Sequence, residues 1–264
     1  MKKTYLLLFL SIFIVSCSSD DNNDGDNNGT PGDPFLPTGI GNYWVYDVDS
    51  SLADGRDSLY IAKDTIIDGN TFQKLKTKEQ PFGFFSNALN NNSIRHSDGK
   101  IFLTGKANLN FSEDLPFDIS VSNFVIFNQN ASANESLGTV SGVFEQEIEG
   151  FLIKFKYTLA SKAKADLATY ASGQENYTNV KPVEITLNLE ITASMAGFPI
   201  EYPIMKPQNV VTSTQYYAQN IGVVHTTTDI TYSLEEIPLP DFQLPIPQSG
   251  TEHQEETLVN YNIE

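Results

Sequence analysis

Apolar and polar residues alternate along most of the chain, and the alternation is cleanest over residues 183–193. There, apolar residues occupy every second position, and Glu, Thr and Asn fill the positions between them. Period-two alternation is typical of a β-strand with one buried and one solvated face. At about 3.3 Å per residue such a strand is about 36 Å long, which favours a large, curved antiparallel sheet.

A second pair of strands can be registered from the sequence. Glu149-Gly150 predicts a two-residue hairpin turn, because Gly tolerates the positive φ that such turns need. The register puts apolar pairs on one face and a charge pair on the other: Ile148 with Phe151, Phe144 with Phe155, and Glu145 with Lys154. Further turns are predicted at Asp68-Gly69, at Asp98-Gly99 and over residues 220–222.

The remaining segments are less regular. Residues 160–171 are rich in Ala, yet their apolar positions continue the period-two row of the preceding strand, which favours a strand. Prolines concentrate in residues 197–207 and 237–247. Because Pro blocks sheet ladders, both segments are predicted to be extended loops that cross the sheet. The functional alternative is a polyproline ligand for a partner groove, or an apolar lid over a cavity.

These patterns define the fold class. The chain is predicted to be all-β and mainly antiparallel, a large curved sheet or half-barrel with at most one short helix. An all-β domain can contain about 230 residues as one unit, so residues 35–264 are predicted to form a single ectodomain.

The start of the chain has a different pattern. Lys2 and Lys3 precede an apolar run over residues 5–15, and polar residues follow from Ser16 onward. This arrangement is typical of a secretory signal peptide over residues 1–16. A membrane span is not favoured, since it needs about 20 apolar residues.

The segment Ile14-Val15-Ser16-Cys17 resembles the lipobox of bacterial lipoproteins. The resemblance implies that Cys17 carries a thioether-linked diacylglycerol, with acyl chains such as palmitate, and becomes the first mature residue. Two or more acyl chains are enough for stable anchoring to a membrane. Cys17 is the only cysteine, so neither an internal disulfide nor a Cys-based metal site can form.

Residues 17–34 are predicted to be a flexible acidic tether, because they carry too little apolar surface to offset their ordering entropy. Ser19-Asp20-Asp21 resembles the acidic export signals of surface lipoproteins in some diderm bacteria. The resemblance implies an outer-membrane lipoprotein exposed at the cell surface, with a periplasm-facing anchor as the alternative. The same segment opens like a calcium-binding loop at residues 20–25, but Pro31 stands where the twelfth-position Glu is required.

The charge of the chain restricts its partners. The chain carries 33 acidic and 16 basic residues, and removal of Lys2 and Lys3 with the signal leaves 14 basic residues. Binding to nucleic acid needs a basic footprint, and adhesion to anionic lipid needs clustered Lys and Arg. We therefore expect no nucleic-acid partner, and membrane contact through the N-terminal lipid only.

Two sets of residues suggest chemistry. Glu145, Glu147 and Glu149 share one strand face about 6.6 Å apart, a spacing that suggests paired glycosidase carboxylates. The same face carries Lys154 and Lys156, which indicates a solvated, charge-paired surface instead.

The histidines are the second set. His96, His225 and His253 have no metal-ligand spacing, and each is predicted to be a surface or partly packed residue. His225 falls on the polar row of a strand, His96 lies opposite Ile101, and His253 falls in an acidic loop. No catalytic residue, metal or cofactor is predicted, although a His that meets a carboxylate from another strand would support a hydrolase.

Three short patches together resemble a family of uncharacterised bacterial outer-membrane and surface lipoproteins. Residues 36–46 (LPTGIGNYWVY) resemble its P-x-x-G-N-x-W-x-Y opening strand, with one extra residue after Pro37. Residues 171–180 and 217–224 are similar to its loop before a long strand and to its Y-A-x-G-V-G-L-V hairpin. The resemblance implies a curved half-barrel of the lipoprotein-carrier type, whose concave side can hold acyl chains, and it implies no catalytic residue.

The functional prediction combines these points. We expect a membrane-anchored lipoprotein whose β-rich ectodomain is a non-enzymatic binding or accessory module. One alternative is a carrier of an apolar ligand or lipid, in which phenylalanines of residues 80–128 line a cavity instead of packing in the core. The other alternative is a hydrolase of an envelope or extracellular polymer.

Overall fold

The computed structural model describes residues 34–51, 54–112, 115–148, 150–195, 200–236 and 246–264. Within these residues the chain forms 13 strands in one antiparallel sheet, and one helix of 6 residues. The elements are β1 (Tyr43–Ser50), β2 (Gly55–Ile67), β3 (Asn70–Thr77), α1 (Phe84–Leu89), β4 (Ser93–Ser97), β5 (Lys100–Ser112), β6 (Leu115–Asn128), β7 (Ser136–Ile148), β8 (Phe151–Ala163), β9 (Leu167–Ser172), β10 (Glu175–Met195), β11 (Glu201–Ala218), β12 (Gly222–Ser233) and β13 (Ser249–Asn262). The predicted fold class is confirmed.

The sheet curls until its two ends meet. The strand order is β6-β5-β4-β3-β2-β1-β13-β12-β11-β10-β8-β7, and β9 pairs with β10 beside this path. The last strand, β13, therefore inserts between β1 and β12. Across the two ends of the sheet, Ser161 Oγ on β8 donates a hydrogen bond to the Val125 carbonyl on β6 at 2.5 Å.

Because neighbouring strands run in opposite directions, the connections fall into two groups. The N-terminal end holds Pro34 and the turns at 68–69, 98–99 and 219–221, and the Asn220 N–H donates to the Pro34 carbonyl at 2.9 Å. The far end holds the β3–β4 connection with α1 and the turns that follow β1, β7 and β10. The chain thus enters the sheet opposite to α1.

The predicted turns and registers are confirmed. Ile148 pairs with Phe151, and Glu145 pairs with Lys154. The other three turns lie between β2 and β3, β4 and β5, and β11 and β12. Asp68, Asp98 and Asn220 have φ values of 50°, 52° and 64°, a left-handed conformation that Asn and Asp tolerate better than most residues.

The long strand is confirmed, and one irregular segment is not. The strand over residues 183–193 belongs to β10, which has 21 residues. Residues 201–207 were predicted to be a crossing loop but belong to β11, where Pro203 pairs with Thr192. Register shifts on both sides of Ile191 absorb the prolines, because a bulge leaves residues outside the regular ladder. Residues 197–199 and 237–245 of the predicted loops lie outside the described residues.

Residues 160–171 are mostly extended, as predicted, but they form two strands and not one. β8 ends at Ala163 and β9 begins at Leu167. β9 then pairs only with the first part of β10, so this hairpin lies beside the main path of the sheet.

The core at the N-terminal end is closed by aromatic side chains with satisfied polar groups. Trp44 is fully buried, and its Nε1 donates to the Ile221 carbonyl at 2.6 Å. Tyr46 Oη donates to the Val223 carbonyl at 2.8 Å. A Cβ at Gly222, whose φ is +117°, would lie 2.9 Å from Trp44 Nε1, so glycine is required at this close approach.

Candidate functional site

The inner face of β7 differs from the rest of the inner face. From Gly138 to Ile148, residues of β7 alternate between half-buried and exposed, and the inward-facing Val140, Phe144 and Ile148 are only half-buried. By contrast, Leu187 and Leu189 on the inner face of β10 are each 1% exposed. An accessible, mostly apolar strip, interrupted by Gln146, therefore runs towards the far end of the sheet.

Aromatic rings form the surface of this strip. Phe144 on β7 stacks on Phe155 of β8 with centroids 4.4 Å apart and planes 2° from parallel. Tyr157 lies over Gly142, since a Cβ at that glycine would be 2.5 Å from Tyr157 Oη. Phe151, Leu159 and Ile185 continue the half-buried apolar surface on β8 and β10.

The outer face of the same strands is charge-paired, as predicted. Lys154 Nζ lies 3.5 Å from Glu145 Oε1 and 2.5 Å from Glu201 Oε1. Lys156 pairs with Glu190 at 3.4 Å. The predicted carboxylate face is thus a solvated, paired surface at Glu145, while Glu149 lies outside the described residues.

The segment that leads into α1 is hydrogen-bonded to three side chains of β2 and β13. These side chains, Asp57, Gln254 and Glu256, form the seat of the segment. Each backbone N–H from residue 82 to residue 86 donates to Asp57, Gln254 or Glu256. The pairs are Phe82 N to Asp57 Oδ1 (2.9 Å), Gly83 N to Asp57 Oδ2 (2.7 Å), Phe84 N to Gln254 Oε1 (2.5 Å), Phe85 N to Glu256 Oε1 (2.6 Å) and Ser86 N to Glu256 Oε2 (3.2 Å). These donors would otherwise lack partners, because the first N–H groups of a helix have none within it.

Burial in this seat shifts the pKa of Glu256. The residue is 1% exposed, and burial raises the pKa of its carboxyl group to about 7, with Asp57 adding to the increase. Hydrogen bonds from Phe85 and Ser86 oppose the increase without cancelling it. Sequence reasoning missed this group, because Glu256 alternates with polar residues in an acidic segment that resembles a solvated strand face.

His225 is more deeply buried than the predicted polar row suggests. Its side chain lies under Tyr170 of β9, with 2.7 Å between Tyr170 Oη and His225 Nδ1, and next to Tyr216. Tyr170 and Tyr216 stack at 4.2 Å. Burial lowers the pKa of His225, although Glu255, 3.8 Å from its Nε2, opposes the decrease. The prediction lacked β9, which covers this part of the outer face.

His253 was predicted to lie in an acidic loop, and this prediction was wrong. It is part of β13 and lies opposite Asp229 of β12. Its Nδ1 lies 2.7 Å from Asp229 Oδ1, which raises the pKa of His253. Glu255 approaches it at 3.6 Å. Among the described residues, no group of three or more His, Cys, Asp or Glu could hold a metal ion.

His96 lies opposite Ile101, as predicted. Burial lowers its pKa to about 4, and a hydrogen bond to the Leu36 backbone opposes the decrease only in part. His96 therefore ties β4 to the first described segment as a neutral side chain.

The phenylalanines of residues 80–128 take different positions. Phe85, Phe124 and Phe127 are buried in the core, as the packing interpretation predicts, whereas Phe82 is 54% exposed beside α1. The side chains of Phe111 and Phe117 lie outside the part of the chain that the structure describes.

The lipobox residues Ile14, Val15, Ser16 and Cys17 lie outside the described residues. In the part of the chain that the structure describes, no helix is long and apolar enough to cross a membrane.

Comparisons with known proteins leave the family open. No family model matches the chain, and no curated protein matches it. A solved structure named a "putative lipoprotein", from Parabacteroides distasonis ATCC 8503, is 9% identical over 88% of this chain and 100% of that chain, with a TM-score of 0.36.

Proposed function

We propose that this protein is a lipid-anchored, non-enzymatic binding module that holds an apolar ligand, such as an acyl chain, against the inner face of β7 and β8. One observation carries the proposal: the apolar side chains that β7 directs to the inner face are only half-buried, while Leu187 and Leu189 on the inner face of β10 are each 1% exposed. Binding sites for small ligands are concave and mostly apolar.

The ligand-binding part can be tested with a pair of neighbouring substitutions on β7. Phe144→Glu places a charge on the inner strip, whereas Val143→Glu places the same charge on the outer face, where Val143 is 57% exposed. We expect Phe144→Glu to raise the Kd for a pyrene-labelled C16 fatty acid by about tenfold or more, because the charge must be desolvated next to the chain. Fluorescence titration measures both variants.

The matched control gives the outcome that would contradict the proposal. If Val143→Glu weakens binding as much as Phe144→Glu, or if neither does, the strip is not the site. Native mass spectrometry of the wild-type chain adds a second readout, since a carrier purified from cells retains lipid. Purified protein without bound lipid, together with no binding of the probe, would refute the carrier.

The anchor is proposed from the lipobox and places the module at a membrane. We propose that Cys17 carries the lipid and that the protein sits in the outer membrane of a diderm bacterium, exposed at the surface. Cys17→Ala is expected to abolish incorporation of an alkyne-palmitate label and to move the protein from the membrane fraction to the soluble fraction. Ser18→Ala is the matched control, and loss of the label there as well would contradict the assignment to Cys17.

The absence of catalysis is also part of the proposal. The residues that a hydrolase would use, His225, His253, Asp229 and Glu255, lie on the outer face of β12 and β13. Each His there meets a carboxylate from the neighbouring strand, as the hydrolase alternative requires, but the pairs lie on the outer face and Tyr170 covers His225. Such an arrangement is typical of a structural ion-pair network.

A further inference from the structure

The β3–β4 connection is held by an unusual seat. Asp57 and Glu256 are 3% and 1% exposed, and they accept hydrogen bonds from the backbone of residues 82–86. The approach is close, since a Cβ at Gly83 would lie 2.1 Å from Glu256 Oε2. The backbone of residues 82–86 is thus hydrogen-bonded to the sheet mainly through two buried carboxyl groups, while Phe85 packs in the core.

The seat can hold Glu256 in its neutral form. Ser86 Oγ lies 2.7 Å from Glu256 Oε2, and a hydroxyl can accept as well as donate a hydrogen bond. A protonated Glu256 can therefore donate to Ser86 Oγ while Oε1 still accepts from the Phe85 N–H. An ionised Glu256 keeps its acceptors but places a second negative charge next to Asp57 in a buried site.

We propose that α1 is a pH-responsive plug at the far end of the sheet, seated on the neutral form of Glu256 and released when this carboxyl group ionises. The plug comprises α1 and the residues that connect it to Thr77 of β3 and to Ser93 of β4. It lies at the same end as the β7–β8 turn, towards which the apolar strip runs. The inference concerns this segment alone and does not depend on the proposed ligand.

The direction of the response follows from linkage. Burial raises the pKa of Glu256 to about 7 in the seated form, whereas a solvated Glu titrates near 4.5. A raised pKa means that the seated form binds the proton more tightly than the open form does. Seating is therefore fully favoured below about pH 4.5 and is lost as the pH rises to about 7.

The groups around Glu256 do not reverse this direction. From β2, Asp57 raises its pKa further. From β1, Tyr46 stays neutral, because burial raises its own pKa well above the ordinary value. Thr226 of β12 and Gln254 of β13 carry no charge, and α1 contributes Ser86. Among the described groups, no cation pairs with Glu256.

Residue-resolved hydrogen exchange of the full chain tests the proposal. The opening constants of the Phe85 and Ser86 amides, corrected for the intrinsic effect of pH, are measured from pH 4.5 to pH 8. We expect them to rise by up to roughly 300-fold by about pH 7 and then to level off. The amides of Leu187 and Leu189 in β10 serve as internal references and are expected to stay constant. Opening constants that do not change with pH would overturn the proposal.

A pair of variants tests whether Glu256, and not another carboxyl group, causes the pH dependence of opening. Glu256→Gln is expected to remove the pH dependence at Phe85 and Ser86. Glu145→Gln, on the paired outer face, is expected to leave it intact. If Glu256→Gln does not fold, the wild-type titration still decides, because its internal references distinguish local opening from global unfolding. A pH dependence that survives Glu256→Gln would overturn the assignment to this residue.

Discussion

The two ends of the sheet are held by different kinds of interaction. At the N-terminal end, the indole of Trp44 and the phenol of Tyr46 donate to backbone carbonyls of β12 and of the turn before it. At the far end, Asp57 and Glu256 accept from the backbone before α1. The first set is uncharged at physiological pH, and the second set contains two acids.

These two kinds of interaction respond differently to pH. The hydrogen bonds of Trp44 and Tyr46 do not themselves titrate near physiological pH, because an indole N–H does not ionise there and burial raises the pKa of Tyr46. Buried acids give a structure whose stability changes as they titrate. The half-buried strip of β7 and β8 also runs towards the end that depends on acids. The segment proposed to open with pH therefore lies opposite to the point where Pro34 joins the sheet.

The largest effect expected from this comparison is on folding stability. Trp44→Ala removes a fully buried side chain and should lower the free energy of unfolding by about 3–5 kcal/mol. Phe144→Ala removes a half-buried ring and should lower it by about 1–2 kcal/mol. Urea denaturation monitored by circular dichroism measures both values. Equal losses would show that β7 is as tightly packed as the N-terminal end, and the comparison would fail.

Much of the sheet could be predicted because its signals are local. The β7–β8 hairpin was registered because Gly150 fixes the turn, while Phe144 with Phe155 and Glu145 with Lys154 agree on one pairing. The place of β13 between β1 and β12 could not be predicted in this way. The pairing of β13 with β1 joins the first and last strands, and no turn connects these two strands.

The candidate site was harder to predict than the fold. Glu256 lies at an alternate position between Gln254 and Leu258 in the strand, so its side chain must point to the same face as theirs. Whether that face is solvent-exposed or buried depends on α1, which lies about 170 residues earlier in the chain. His253 shows the same limit, since its partner Asp229 comes from another strand. Alternation predicts the face, and only the tertiary structure supplies what covers it.

A smaller effect on folding stability is expected from a change of pH, and its direction is opposite at the two ends of the sheet. His96, at the N-terminal end, has a pKa lowered by burial to about 4, against 6.5 for a solvated His. A lowered pKa means that the unfolded chain binds the proton first, so the stabilising contribution is present above about pH 6.5 and is lost as the pH falls to about 4. This loss amounts to about 3 kcal/mol. Glu256 acts in the opposite direction, because its contribution is lost as the pH rises to about 7.

His96→Gln tests this opposition, since Gln does not titrate and can keep a hydrogen bond to the Leu36 backbone. We expect the difference in unfolding free energy between pH 7 and pH 4, measured in urea, to shrink by about 3 kcal/mol in this variant. His253→Gln is the control. The pKa of His253 is raised by Asp229, so its loss should not reduce the sensitivity to acid. If both variants respond alike, burial of His96 is not the cause, and acid would act on the two ends of the sheet together.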